Sequence, residues 1–168
     1  LHPSSLLPRP SSAWATFRAN AARSGCTNAA VPAAAEVAWQ AEIGGRLSQP
    51  VCAEGRLIVA QIDAHTVHCL DAACGEPLWS FTAGGRVDSP PTLYRGLALF
   101  GSRDGWVYCL RVSDGTLVWR RRVAPRACSA VAYEQLESLW PVHGSLLVHD
   151  DTVYVAAGRS SHLDGGIA

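Results

Sequence analysis

The sequence predicts an all-β fold assembled from four-stranded antiparallel sheets, and three observations carry that reading. A tryptophan recurs at Trp39, Trp79 and Trp119, spaced by 40 residues each time, and other positions repeat on the same offset. Within one period, short apolar runs alternate with glycine-bearing turns, as in a β-meander. No segment shows apolar periodicity of 3.6 residues over a useful length, which removes helical solenoids.

Taken in order, Leu1 to Ser12 is rich in proline and serine and reads as a linker, bounded at residues 1–13. The chain begins at Leu1 and has no methionine, so it is expected to be a piece of a longer protein; no signal peptide is visible in it. Residues 14–38 are assigned to an opening segment and first partial blade, and residues 39–168 to the repeats. In the repeats Gly44-Gly45-Arg46 becomes Gly84-Gly85-Arg86, Pro50 becomes Pro90 and Leu57 becomes Leu97. Val67, Cys69, Leu70 and Gly75 return as Val107, Cys109, Leu110 and Gly115. The second repeat predicts strands over Asp88 to Tyr94, Leu97 to Ser102, Trp106 to Val112 and Thr116 to Val123. Arg95-Gly96, Arg103-Asp104-Gly105 and Ser113-Asp114-Gly115 supply the turns between them. Four strands in about 40 residues is the length of one β-propeller blade, which must stack on neighbours to cover its faces. The third repeat is irregular: aligning Asp104-Gly105 with Asp164-Gly165 gives an offset of 60, hence about 20 extra residues, mostly before Trp140.

Composition narrows the function classes. With 48% hydrophobic residues, 17% charged, and 14 basic against 14 acidic side chains, the chain is neither a disordered segment nor a basic nucleic-acid binder. No apolar run approaches the roughly 18 residues of a spanning helix. There is no GxSxG elbow, phosphate loop, GxGxxG or HExxH.

Each repeat closes on a segment such as Leu70-Asp71-Ala72-Ala73-Cys74-Gly75-Glu76-Pro77-Leu78-Trp79, echoed by Leu110 to Trp119. This resembles the tryptophan-docking motif of the pyrroloquinoline quinone (PQQ) enzyme repeats, a small residue, Asp, Thr-Gly-Lys and Trp at the spacing of Cys69, Asp71, Cys74-Gly75-Glu76 and Trp79. Trp14-Ala15-Thr16-Phe17-Arg18-Ala19-Asn20 and Arg23-Ser24-Gly25 look like the family's segment ahead of the first blade. The departures are Arg111 in place of the Asp, and Cys74 and Asp114 in place of the Thr. The resemblance implies the N-terminal part of a β-propeller of the quinoprotein alcohol dehydrogenase-like type, here partial, about three of seven or eight four-stranded blades. It also implies blade docking through Trp39, Trp79, Trp119, Asp71, Gly75 and Gly115, and a periplasmic, cell-envelope or extracellular location. Members of the family include PQQ- and calcium-dependent dehydrogenases and a cofactor-free outer-membrane assembly lipoprotein. The reading taken is a noncatalytic scaffold with no cofactor in this chain. Its partners are a protein or a small anionic ligand, besides the remaining blades of its own chain. The alternative is part of a PQQ and Ca2+ dehydrogenase whose catalytic residues lie mostly elsewhere.

Two sets of residues are candidates for binding. Arg46, Arg86 and Arg126 each fall seven residues after a docking tryptophan, where the link between blades runs toward the central channel; together they suit carboxylates or phosphates. The insertion from Tyr133 to Gly144 and the shorter one from Arg159 to Asp164 contribute Gln135, Glu137, Ser138, Trp140, His143, Arg159 and Asp164, since long propeller loops commonly build binding faces. The six cysteines fall in no CxxC spacing, and Cys69 and Cys109 share one packing slot. His68 reads as a half-buried strand residue and His149-Asp150-Asp151 as a turn.

Overall fold

The computed structural model describes residues 13–30, 33–163 and 165–168. Two complete four-stranded meanders lie at its centre. The first runs β1 (Val51–Ala53), β2 (Arg56–Gln61), β3 (Thr66–Asp71) and β4 (Pro77–Thr82), paired in that order and antiparallel. The second repeats it with β5 (Thr92–Tyr94), β6 (Leu97–Gly101), β7 (Trp106–Arg111) and β8 (Leu117–Arg122). Two hairpins follow, β9 (Ser129–Ala132) with β10 (Gln135–Ser138), and β11 (Leu147–His149) with β12 (Thr152–Tyr154). Among the described residues no helix is long and apolar enough to cross a membrane.

The period of 40 is visible in the pairing itself. Cys69 faces Trp79 and Cys109 faces Trp119, and both registers slip at the next residue, between Cys69 and Leu70 and between Cys109 and Leu110. The first strand of the second sheet is shorter than the expected Asp88 to Tyr94. Pro90 and Pro91 have no N–H to give a ladder, and the sheet begins only at Thr92.

The apolar runs of β6 and β7 are continuous rather than alternating because the second sheet is covered on both faces. Ala98, Phe100, Tyr108 and Leu110 pack toward the first sheet with Ile58, Ala60, Val67 and Cys69. Leu99, Val107 and Cys109 pack the other way, against Trp140, Val142, Leu146 and Ala157. Phe81 meets Tyr108 edge-on at 5.8 Å, and Tyr108 stacks on Phe100 at 5.4 Å. Cys69 and Cys109 are fully buried within these layers, and burial pushes both thiols up to about 11. All six cysteines are free thiols in the structure.

Between sheets, tryptophan does the docking. The Trp39 indole N–H donates to the Ala72 carbonyl at 3.1 Å, and the Trp79 indole N–H to the Val112 carbonyl at 2.8 Å. Each ring lies on the glycine of the motif it docks to: a Cβ built on Gly75 would fall 2.4 Å from Trp39, and one on Gly115 2.7 Å from Trp79. These glycines also hold φ of 76° and 72°, so both space and backbone demand the residue. The motif turn closes identically in both sheets, with Gly75 N–H on the Asp71 carbonyl and Gly115 N–H on the Arg111 carbonyl. Asp71 caps its turn by accepting the Ala73 N–H. In the second sheet, where Arg111 replaces it, Asp114 caps from inside the turn by accepting the Thr116 N–H. Those backbone bonds are the main reason both carboxyls are held below the usual carboxylate range. Trp119 finds no such partner among the described residues and is 39% exposed.

The opening segment threads the middle of the molecule. Trp14 exchanges backbone hydrogen bonds with Cys52 on β1, the Ala15 carbonyl accepts the Leu93 N–H from β5, and the Thr16 and Thr92 hydroxyls meet at 2.9 Å. Thr92 passes on to the Leu146 carbonyl just ahead of β11, so the inner strands of three successive units converge here.

Candidate functional site

In a meander, strands alternate direction, so the β2–β3 and β6–β7 turns emerge on the same side as the links that join one sheet to the next. That link face carries the charged residues in question. Arg46 stands opposite the end of β2, Asp63 in the β2–β3 turn, Arg86 and Asp88 in the β4–β5 link, and Arg103 in the β6–β7 turn. The long link from β8 to β11 contains the inserted hairpin.

Their side chains form one continuous series of alternating sign. Arg46 reaches Asp63 at 3.0 Å, and Asp63 lies 3.3 Å from the Arg86 Nε. Arg86 reaches Asp88 at 3.2 Å, and Asp88 accepts from the Arg103 Nε. Arg103 then takes both oxygens of Glu137, at 2.9 and 3.0 Å, and Arg159 binds Glu137 from the other side at 2.9 Å. The series is exposed at its start and buried in its middle: Arg46 is 58% exposed, Arg86 6% and Glu137 1%, and it ends at Arg159, 29% exposed. The Arg86 Nε lacks hydrogen-bond geometry despite its closeness to Asp63, so that contact is Coulombic. A buried carboxylate with three N–H contacts is compensated, whereas one stripped of a partner is strongly unfavourable.

The hairpin is fastened over this series. Tyr133 and Glu134 make its two-residue turn, with φ of 51° and 62°. The Tyr133 ring covers two guanidiniums, 5.3 Å from Arg86 and 4.9 Å from Arg103. Gln135 bonds to the His65 imidazole at 2.8 Å and donates to the Asp63 carbonyl at 3.4 Å. The Ser138 N–H donates to the Arg103 carbonyl at 2.7 Å, and the Ser138 hydroxyl accepts the Trp140 N–H. Trp140 is buried between the second sheet and the third unit.

The structure thus brings together Gln135, Glu137, Ser138 and Arg159 of the expected set, while His143 lies exposed and apart. Asp164 lies outside the described residues. The arginines divide. Arg46 and Arg86 share Asp63, whereas Arg126 is exposed and without an ion-pair partner among the described residues. His68 is half-buried on β3 and bonds to Gln61, and Asp150-Asp151 turns β11 into β12 with φ of 47° and 58°. Sequence reasoning missed Asp63, Asp88 and Arg103. The signal was a charge reversal on the repeat offset: Asp63 and Arg103 occupy the same slot 40 residues apart, so Arg46 faces an acid where Arg86 faces a base. The second sheet therefore needs extra acids, and Asp88 and the inserted Glu137 supply them.

A cavity of about 510 Å³ opens at the centre of this face, lined by Phe17, Arg23, Gln49, Asp88 and Ser89 among others. The hydroxyl of Ser89, one of the lining residues, is buried with no hydrogen-bond partner among the described residues. A calcium ion and quinone do not fit this donor set. The acids of the face are held by arginines, and among the described residues no three His, Cys, Asp or Glu side chains are grouped to hold a metal.

Comparison with known proteins agrees with this architecture. Residues 28–161 match the family model described as outer membrane protein assembly factor BamB, a PQQ-repeat family. Relatives include the outer membrane protein assembly factor BamB of Moranella endobia, 31% identical over 74 residues, 44% of this chain and 19% of that protein. The factor of the same name from Yersinia pestis is 25% identical over 137 residues, 77% of this chain and 34% of that protein. The chain thus spans at most about a third of the length of these curated relatives. Among solved structures, the quinohemoprotein alcohol dehydrogenase ADHIIG from Pseudomonas putida HK5 superposes with a TM-score of 0.69 at 14% identity. The match covers 87% of this chain and 23% of that one, a likeness of fold. Since the family match takes in the docked tryptophans Trp39 and Trp79, both meanders and the inserted hairpin, the chain belongs to the BamB family of PQQ-repeat β-propellers.

Proposed function

We propose that this chain is part of a noncatalytic binding scaffold of the cell envelope, facing the periplasm, which holds a protein partner on its link face. The observation that carries this reading is the alternating series from Arg46 to Arg159. It engages Asp63, Asp88 and Glu137 with guanidiniums, an arrangement that fixes structure rather than offering a carboxylate to a substrate. The hairpin held down by that series exposes Val131, Tyr133 and Leu136 to solvent. The description of its relatives as outer membrane protein assembly factors supports a partner among proteins handled in that assembly. Arg126 is the anion contact of this surface, with Arg46 and Arg86 committed to holding it in shape. Calorimetric titration of PQQ with calcium into the protein tests the reading. No saturable heat is expected, and saturation near one equivalent would overturn it in favour of a quinone-dependent dehydrogenase.

A further inference from the structure

The hairpin offers a free strand edge that lacks the guards carried by the outer strands β4 and β8. The Tyr133-Glu134 turn makes Ala132 and Gln135 the first hydrogen-bonded pair, and the alternation of an antiparallel ladder makes Ala130 and Glu137 the next. The backbone groups of Ser129 and Val131 therefore point away from β10. On the opposite edge the Ser138 N–H is already taken by the Arg103 carbonyl, whereas Ser129 and Val131 bond to no other described segment. Proteins usually guard such edges with proline, charge or a bulge. The outer strand β4 begins with Pro77, and β8 carries Arg120, Arg121 and Arg122. By contrast, β9 reads Ser-Ala-Val-Ala in regular register. Its neighbours are apolar and open to solvent. Val131 is 78% exposed, its cross-strand partner Leu136 67% and Tyr133 71%.

From these observations we infer that β9 is a docking edge for an extended segment of a partner protein, which adds to it as a further strand. This rests on the scaffold reading and names the chemistry of its partner. Main-chain bonds to Ser129 and Val131 hold the incoming strand, and its apolar side chains cover Val131 and Leu136. Charge sets its polarity. Arg126, three residues before β9, has no ion-pair partner among the described residues, while Glu134 stands at the far end of the strand. The partner's acidic residues thus lie at the Ser129 end. The template is rigid before binding, because Glu137, Gln135 and Tyr133 fasten the hairpin to the propeller, so little ordering opposes docking.

The test uses the full chain and a fluorescein-labelled peptide of alternating valine and threonine with two aspartates at one end, followed by anisotropy and by amide hydrogen exchange. Saturable binding with slowed exchange at Ser129 and Val131 is expected. Val131→Pro removes an outward N–H while leaving the β9–β10 bonds intact, and should weaken binding at least tenfold with an unchanged melting temperature. Arg126→Glu should transfer preference to the peptide with lysines in place of the aspartates, and serves as the probe if the proline variant misfolds. Absence of peptide binding, equal affinity for both variants, or protection elsewhere than β9 overturns the inference. The scaffold reading stands or falls separately on the quinone titration.

Discussion

Replacing Trp79 by alanine tests how the propeller units are held together, and Trp119 provides the internal control. Both residues occupy the same slot of the repeat and both face a buried cysteine across the sheet. They differ in what lies outside it. Trp79 lies on Gly115 and donates its indole N–H to Val112, whereas Trp119 is 39% exposed with no docked partner among the described residues. A buried tryptophan truncated to alanine costs about 3 to 5 kcal/mol, and an isolated hydrogen bond contributes about 1 kcal/mol net. Trp79 is only partly covered, so about 3 kcal/mol is expected for Trp79→Ala, against about 1 kcal/mol for Trp119→Ala. The difference corresponds to roughly 30-fold in the folding equilibrium. Urea unfolding followed by far-ultraviolet circular dichroism reads it without depending on the fluorophore removed. A double-mutant cycle sharpens the result. Gly115→Ala places a methyl against the Trp79 ring and forces alanine to a φ of 72°. In the Trp79→Ala background only the backbone cost, about 1 to 2 kcal/mol, should remain. Equal losses for the two tryptophans, or strict additivity of Trp79→Ala with Gly115→Ala, would refute docking as the source of cohesion.

Two further outcomes follow from buried polar groups. Glu137→Gln leaves Arg103 and Arg159 facing an amide that can accept on one atom only. A loss of about 3 kcal/mol is expected, together with faster amide exchange through residues 129–138; unchanged exchange would show that the hairpin is held by other contacts. Tyr108 is buried and donates its O–H to Asp104, and burial foremost, then that bond, raises its pKa to about 12. The folded protein keeps this proton above the ordinary tyrosine value, so the associated stability is complete below about pH 10 and disappears as pH rises toward about 12. The total is about 2 to 3 kcal/mol. Melting temperatures across that window should fall more steeply for the native chain than for Tyr108→Phe, and parallel curves would contradict the assignment.

What the sequence makes legible here is whatever the repeat duplicates. Strand number, turn positions and tryptophan docking occur twice, and two copies at one offset expose them. Glu137 was also accessible, because an insertion in a regular array stands out. The form of the insertion was not, since its turn uses Tyr133 and Glu134 at positive φ where a hairpin signal would have been glycine or asparagine. Arg103 and Asp63 hid for a different reason. Each sits in an unremarkable turn, and their meaning lies only in the comparison between slots, where reversing one charge obliges the molecule to import another acid. The arginines spaced by 40 looked like one set, yet the insertion that follows Arg126 gives it surroundings unlike those of Arg46 and Arg86.

The opening segment gives the propeller a mechanical property. Trp14 is bonded to β1, Ala15 to β5, and Thr16 to Thr92, which in turn holds the Leu146 carbonyl. A tension applied along this segment is therefore shared by two sheets through bonds loaded in parallel, rather than peeling one strand from one edge. The place where these inner strands meet therefore behaves as a set of short braces, each tying a different unit to the opening segment.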